Sequence, residues 1–502
     1  MVDIISQGIN LPSPLLVLLL GGLISLLVGL LSERIGVAKL REVWMIIVST
    51  ATLTSIYYLN QSVQKAGVIV ISVWGQIPPF GGCFEIDTLS IFMSGSIAVL
   101  GFLVAVYSIS YMENESRLTE FYTLMTFMMA GMTGVVMAGD MFTLFVFWEL
   151  MGLSSYVLVA FLKSRWGPIE AGFKYLVMSA TASAFLILSM AIIYGMTGTL
   201  NFAYIADSLR GAAASPWIIA LFSTLVVGFG VKSAIVPLHT WLPDAHPEAP
   251  SPISALLSGI VIETGLYALA RVLFLTFDPG MFKLPIAFLA VLTMTLANVM
   301  ALLQSDIKRL LAYSSIAQIG YMLIGLAAGT TYGFMALFLH IFNHSMMKGM
   351  AFLASGSIVH ETGTRDISSL RGIGKMMPVT SISLFIALLG LGGVPGTNGF
   401  ISKYHLFSAA FGSGLGWLGI MGVLNSALSM AYYIRIMQVL LASPKEGLKA
   451  KEAPILMLTV TMAMAAIIVI LGIWPAPLIN FATSASQSLV EGLSTYIGAV
   501  LG

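Results

Sequence analysis

The chain has 502 residues, 58% of them hydrophobic and only 9% charged. Soluble domains carry about 25% charged residues, so this composition excludes an ordinary soluble fold and predicts a polytopic membrane protein. The formal net charge of +1 offers no basic face for nucleic acid, and the single cysteine, Cys83, excludes an internal disulfide and a thiolate metal cluster.

Thirty methionines read as soft packing between helices. The first apolar run begins near Leu15, with Asp3 and no basic residue before it. It lacks the cationic start of a signal peptide and is expected to be a retained first helix.

A membrane-spanning helix needs about 20 apolar residues. Such runs lie at 14–32, 42–60, 87–111, 118–138, 140–162, 169–196, 217–247, 252–274, 284–303, 310–328, 331–359, 377–411, 416–441 and 454–473. They predict an all-α polytopic membrane protein with about 14 transmembrane helices. The seventh run is interrupted at Pro237 and the twelfth at the GGVPGTNG stretch around Pro395. The segment 61–86, with Pro78, Pro79, Gly81 and Gly82, reads as an extracytoplasmic loop or hairpin. After Pro475 and Pro477, the tail from Ile479 to Gly502 is weakly amphipathic and is expected to lie on the surface or against a neighbour.

Basic residues in short loops mark the cytoplasmic side. With the N-terminus outside, the cytoplasmic loops hold fourteen, including Arg117, Lys163, Arg165, Lys308, Arg309, Arg365, Lys445 and Lys449. The outer loops hold three, Lys65, Arg210 and Lys283. Both termini are therefore expected outside a cytoplasmic (inner) membrane. The broken helices stand five elements apart, which suggests two inverted five-helix repeats, helices 4–8 and 9–13. Paired interruptions of this kind point to a transport site. The implied division is 1–112 (three helices and an outer loop), 113–275 and 276–441 (the two halves), and 442–502 (the last helix and tail).

An ionisable group at mid-membrane costs about 2.5–3.5 kcal/mol. Glu149 sits mid-helix in FVFWELMGLSSYVLVAF, and Lys232 sits just before the Pro237 break, with His239 following it. Glu263 is central in the eighth helix, and Lys403 follows the second break. His340, His344 and Lys348 recur every four residues, which places them along one helix face. Two histidines at this spacing can bind zinc, but no acid or cysteine joins them there, and a proton relay is the better reading. Lys174 lies early in the sixth helix, within snorkelling reach of the cytoplasmic side. Snorkelling is also expected for Arg271 and Arg435, and a surface role for Asp306, Lys308 and Arg309. Left unpaired, Lys174, Lys232, Lys348 and Lys403 would together cost roughly 10 kcal/mol, comparable to a domain's net stability of about 5–15 kcal/mol. They must be paired or hydrated, which is the pattern of a proton path.

FWELMGLSSYVLVAF, GVKSAIVPLHTWLPDAHPEAPSPISALLS, SDIKRLLAYSSIAQIGYM, FNHSMMKGMAFLASGSI and GVPGTNGFISK resemble the antiporter-like subunits of respiratory complex I, Mrp cation/proton antiporters and membrane-bound hydrogenases, in the shorter, fourteen-helix type. The resemblance covers roughly residues 85 to 440. It implies fourteen helices, inverted repeats, a central hydrophilic axis, and Glu149 and Lys232 as a coupled pair. His340, His344 and Lys403 match further positions of the axis. One position departs: many members carry a lysine where this chain has Glu263.

The expected function is proton translocation by an antiporter-like membrane subunit of a multisubunit respiratory or Mrp-type complex. The expected partners are other membrane subunits and the lipid bilayer; protons are the expected ion, with sodium a second candidate. The chain shows no redox or hydrolytic site, no metal ligand set and no cofactor motif. It reads as the ion-pumping subunit of an oxidoreductase complex of hydrogenase, sulfur-reducing or NADH-dehydrogenase-like type. The alternative is a stand-alone Na+/H+ or other secondary transporter; the deep lysines argue against an inert scaffold.

Overall fold

The computed structural model describes residues 11–35, 39–73, 78–209, 211–444 and 450–501. The two chain ends, and Arg210, Lys445 and Lys449 of the loop count, lie outside the described residues.

The chain opens with α1 (Ser13–Ile35) and α2 (Leu40–Ala66), then a hairpin of β1 (Ile69–Ser72) and β2 (Cys83–Ile86). The strands pair antiparallel, Ile69 opposite Ile86 and Ser72 opposite Cys83, so the segment 61–86 expected as loop or hairpin forms a hairpin in its later part, while its first residues, to Ala66, continue α2. Next come α3 (Thr88–Tyr111), α4 (Leu118–Met137), α5 (Met141–Val159), α6 (Trp166–Thr197) and the short α7 (Phe202–Leu209). The first broken element is α8 (Pro216–Lys232) with α9 (Leu242–Glu248). Next, α10 (Ser251–Leu256), one π turn and α11 (Ile262–Thr276) form a single run. They are followed by α12 (Lys283–Leu302), α13 (Ile307–Ala328) and α14 (Thr331–Thr362). The second broken element is α15 (Pro378–Gly392) with α16 (Asn398–Gly412). The chain closes with α17 (Gly416–Leu441), α18 (Ile455–Ile473), α19 (Ala476–Val490) and α20 (Gly492–Leu501).

Among the described residues, ten helices are long and apolar enough to cross a membrane. The long helices α4 and α14 are not among the ten, and both are almost entirely buried. Helix starts follow from polar caps. Asp87 and Ser90 form a reciprocal capping box on α3, and Asp140, Ser215, Asp306 and Thr330 each accept an amide at the first turn of α5, α8, α13 and α14. Such bonds satisfy amides that the helix itself leaves unpaired.

Burial sorts the helices into layers. The apolar windows of Ser251–Thr276 and Ile307–Ala328 are fully buried, whereas only 28% of the α6 window is. Polar and ionisable groups therefore concentrate on the inner helices, and exposed Leu, Ile and Phe on α1, α6 and α12 face outward, as a lipid-facing rim requires.

The first break begins earlier than Pro237. Regular helix ends at Lys232, Ala234 takes a left-handed φ of 54°, and the Val236–Pro237 peptide is cis. A carbonyl left open here finds a local partner: Trp241 Nε1 donates to Val231 O at 2.7 Å. This is the satisfaction that irregular backbone at membrane depth demands.

The tail forms two helices that close over the hairpin. Ser488 Oγ of α19 donates to Asp87 at 3.1 Å, and the Tyr496 hydroxyl of α20 donates to Gly139 O at 3.0 Å. Beneath them Arg271 is 3% exposed and pairs with Glu85 at 2.7 Å and Asp87 at 3.3 Å. The expectation that Arg271 snorkels is corrected: Glu85 of β2 and Asp87, the cap of α3, hold it inside. Burial pushes the Glu85 carboxyl up to about 7, opposed by Arg271.

Candidate functional site

The first half centres on Lys232, the last residue of α8, which is buried. Its ammonium donates to Tyr175 Oη at 2.7 Å and Ser155 Oγ at 3.4 Å, and lies 4.8 Å from the Tyr175 ring centroid. Trp241, beyond the break, stacks on Tyr175 at 3.8 Å, so the broken segment itself fixes the lysine's main partner. Gly152 of α5 faces the ammonium: a Cβ there would stand 3.7 Å from Lys232 Nζ, in ordinary contact. Glu149, three residues earlier, is exposed on α5 and accepts a hydrogen bond from Ser183 Oγ of α6. The two residues expected as a coupled pair thus lie on the same helix-to-helix seam, but no ion pair joins them in this state.

The centre is Glu263 of α11 and His344 of α14, both fully buried and joined through Glu263 Oε1 and His344 Nδ1. Glu263 Oε2 and His344 Nε2 have no protein partner. Such groups are ordinarily matched by ordered water.

The second half extends along α14. His340 and His344 have ring centroids 6.1 Å apart, as the four-residue spacing requires. His340 joins Ser402 Oγ of α16 at 2.8 Å and Gln318 Oε1 of α13 at 3.0 Å. Lys348, one turn past His344, donates to Ser314 Oγ at 2.7 Å, and that hydroxyl meets Tyr433 of α17. Lys403 of α16 donates to Leu391 O at 2.7 Å and Ser426 Oγ at 2.9 Å, with the Tyr321 ring centroid 4.6 Å away. Gln318 Nε2 donates to the same Leu391 carbonyl at 3.1 Å. The second break therefore frees a carbonyl on which Lys403 and Gln318 converge. His405 turns away from this group to meet the Tyr332 hydroxyl at 2.7 Å.

Glu263, His340, His344, Lys348 and Lys403 thus join one polar system from α11 to α17, and Lys232 adjoins it at α11. Gly265 of α11 packs against Ser233 and Lys232, where a Cβ would meet Ser233 Oγ at 2.8 Å. His239 lies in the first break, half-buried, with Nδ1 unpartnered.

Lys174 reaches outward, as expected of a snorkelling residue, and leaves the group of deep lysines. It is half exposed and bound by Glu170 at 2.8 Å and Asp244 at 3.0 Å. It belongs to an ion-pair network at the edge of the helix bundle, with Arg309–Asp244, Arg365–Glu248 and Arg365–Asp306, and is not a deep lysine. The fourth buried lysine is Lys308, expected at the surface but 3% exposed, its ammonium on Ala249 O at 2.7 Å and Pro247 O at 3.4 Å. Arg435 is half-buried on the carbonyls of Leu302 and Gln304, at the end of α12. Ser155, Tyr175, Gln318 and Ser402 were also absent from the expected site. Neutral hydroxyls and amides are common in membrane helices, and only their contacts to charged groups single these out.

The family model described as NADH:quinone oxidoreductase/Mrp antiporter, TM, matches residues 138–429. A second, NADH-Ubiquinone oxidoreductase (complex I), chain 5 N-terminus, matches residues 80–122. The F(420)H(2) dehydrogenase subunit N of Methanosarcina mazei is 32% identical over 498 residues, 96% of this chain and 99% of that protein. NADH-quinone oxidoreductase subunit N of Trichlorobacter lovleyi is 35% identical over 436 residues, covering 84% and 88%. A chain of the membrane-bound sulfane sulfur reductase, an archaeal respiratory membrane complex, superposes with a TM-score of 0.88 at 31% identity, covering 97% and 99%. A chain of the Mrp complex from Dietzia sp. DQ12-45-1b gives a TM-score of 0.89 at 23% identity, covering 98% and 99%. At that identity the likeness is one of fold.

Proposed function

Because the chain belongs to the NADH:quinone oxidoreductase/Mrp antiporter family of membrane subunits, we propose that Lys232, Glu263 with His344, Lys348, His340 and Lys403 form the path along which it moves protons. It is an antiporter-like, proton-translocating membrane subunit of a multisubunit respiratory complex. The observation that carries the path is the run of buried ionisable groups served by hydroxyl, amide and freed backbone partners from α11 to α17, with Lys232 at the end of α8 packed beside it against α11. Buried charge of this kind is too costly in a membrane to be kept for packing.

In this reading the chain crosses the membrane fourteen times, with α8–α9 and α15–α16 each counting as one broken crossing. The halves 113–275 and 276–441 are inverted repeats, flanked by 1–112 and 442–502. Both termini lie outside a cytoplasmic membrane, and partner subunits and lipid share the outer faces. Exposed Glu149 is the group through which a neighbouring subunit acts on Lys232. A switch in that neighbour draws Glu149 toward or away from the lysine, and a change in nearby charge changes proton affinity. Protons are the ion moved; sodium, if carried, is exchanged elsewhere in the assembly.

The test is proton pumping by inverted membrane vesicles that hold the assembled complex, read with a pH-sensitive dye and divided by the complex's own turnover. Lys232→Ala and Lys403→Ala are each expected to lower protons per turnover at least tenfold with assembly intact. Pumping at the wild-type ratio in both would remove the axis as the path. Purification in mild detergent should also bring the chain out with partner subunits; a chain that elutes alone and exchanges ions alone would favour a secondary transporter.

A further inference from the structure

His246 is the one histidine of the buried core that the axis above does not use. It lies in α9 with 0% exposure, and neither ring nitrogen has a protein partner. A neutral imidazole carries one donor and one acceptor. Buried polar groups are almost always matched, and one with both sites open points to ordered water.

Its surroundings run in two directions. On one side the ring stacks on Phe352 of α14, centroids 4.7 Å apart and planes 24° apart. Phe352 is one helical turn beyond Lys348, on the same face. On the other side the next residues of its own segment, Pro247 and Ala249, turn their carbonyls to Lys308, and Pro247 O also accepts from Arg365. Arg365 pairs with Glu248 at 3.0 Å and Asp306 at 3.1 Å, carboxylates about one-fifth and one-quarter exposed. The charged groups whose fields reach His246 are Lys308 from α13 and Lys348 from α14. One unpartnered imidazole therefore stands between a solvent-touching ion cluster and a lysine of the axis.

We propose that His246 is the inlet relay of the second half, carrying protons through ordered water between the Glu248–Asp306–Arg365–Lys308 cluster and Lys348. One ring nitrogen takes a proton from water on the cluster side, and the other releases its own to water leading to the Lys348 amine. A ring flip then restores the starting tautomer, so one proton enters and one leaves per cycle. Phe352 supports the ring on one face and leaves both nitrogens open at its edge.

The inference rests on the proposed proton path, and the test separates the two. Protons per turnover are measured on the assembled complex in inverted vesicles for His246→Phe, His246→Asn, His246→Glu and, as control, Lys403→Ala. Phenylalanine keeps the stack on Phe352 and asparagine keeps polar edges, but neither can carry a proton in this way. Both are expected to lose at least tenfold at normal assembly. Glutamate, titratable again, is expected to recover at least threefold over phenylalanine, with its pH optimum moved to lower pH. Wild-type pumping in whichever of the phenylalanine and asparagine variants assembles would overturn the relay, as would a glutamate variant that assembles yet pumps no better than they do. If Lys403→Ala also pumps normally, the axis itself is wrong; if only the His246 variants do, the axis stands and the inlet is elsewhere.

Discussion

Glu263 and His344 satisfy each other at the centre of the molecule, and each keeps one atom open. Losing one partner leaves the other buried and unpaired, which costs about 1–3 kcal/mol. Removing both can be nearly neutral, so a double change to leucine is expected to unfold closer to wild type than His344→Leu alone, by thermal denaturation in detergent. The same pair tests the role of charge. The family resemblance implies a lysine here in many members, and a carboxylate passes a proton with the opposite change of charge. Protonation of Glu263 neutralises it and weakens its hold on neighbouring cations. Glu263→Gln is expected to lower protons per turnover at least tenfold. Recovery in Glu263→Lys would mean that any titratable group serves, and continued loss that a carboxylate is required. Wild-type pumping in the glutamine variant would take Glu263 off the path. These residues were legible because an ionisable side chain inside an apolar run has few bland explanations. Lys174 misled for a reason of depth: α6 begins at Trp166, so the lysine lies only two turns in and reaches Asp244. Lys308 was missed because it opens its helix, where a lysine ordinarily faces water, and here α9 and the chain after it cover it.

At the scale of the element, the breaks are what the ionisable groups attach to. Proline in an apolar run announced both, but not their internal geometry. The first opens at Ser233, before the proline, and its partner Trp241 could not be assigned from sequence because an indole in a membrane helix has many uses. The second ends α15 at Gly393, with φ +83°, and Lys403 Cδ would stand 3.1 Å from a Cβ at that position. Left-handed backbone costs a non-glycine residue about 1–2 kcal/mol, and the added methyl would press on the lysine stem. Gly393→Ala is therefore expected to destabilise the chain by about that amount and to lower pumping at least threefold by moving Lys403 off Leu391 O. Gly396→Ala, at φ +90° but with open space around its Cβ, should share the strain and keep the pumping. Equal pumping loss in the two would mean that backbone strain, and not the position of Lys403, controls the path.

At the scale of the whole molecule the question is which way it faces. The hairpin, the buried Arg271 and the tail helices α19 and α20 share one end, tied by Glu85, Asp87, Ser488 and Tyr496. The clustered ion pairs of Lys174, Asp244, Arg309, Arg365, Glu248 and Asp306 mark another region, at helix ends next to loops that the basic-residue bias assigns to the cytoplasm. Fourteen loop cations against three is a strong bias, because retention of Lys and Arg on the cytoplasmic side sets orientation during insertion. The direction of proton movement depends on the answer, since the ion cluster feeding His246 and Lys348 must then open inward. Two exposed positions decide it: Lys65 in the last turn of α2 and Lys163 between α5 and α6. Cys83 is buried, and Cys83→Ser gives a background without competing thiols. In that background an impermeant maleimide applied to intact cells is expected to label Lys65→Cys and to spare Lys163→Cys until the membrane is opened. Labelling of both without permeabilisation would break the fourteen-crossing arrangement, because those sites would share a side. The reverse pattern would keep the arrangement and invert the protein, turning the proposed inlet at His246 into an outlet.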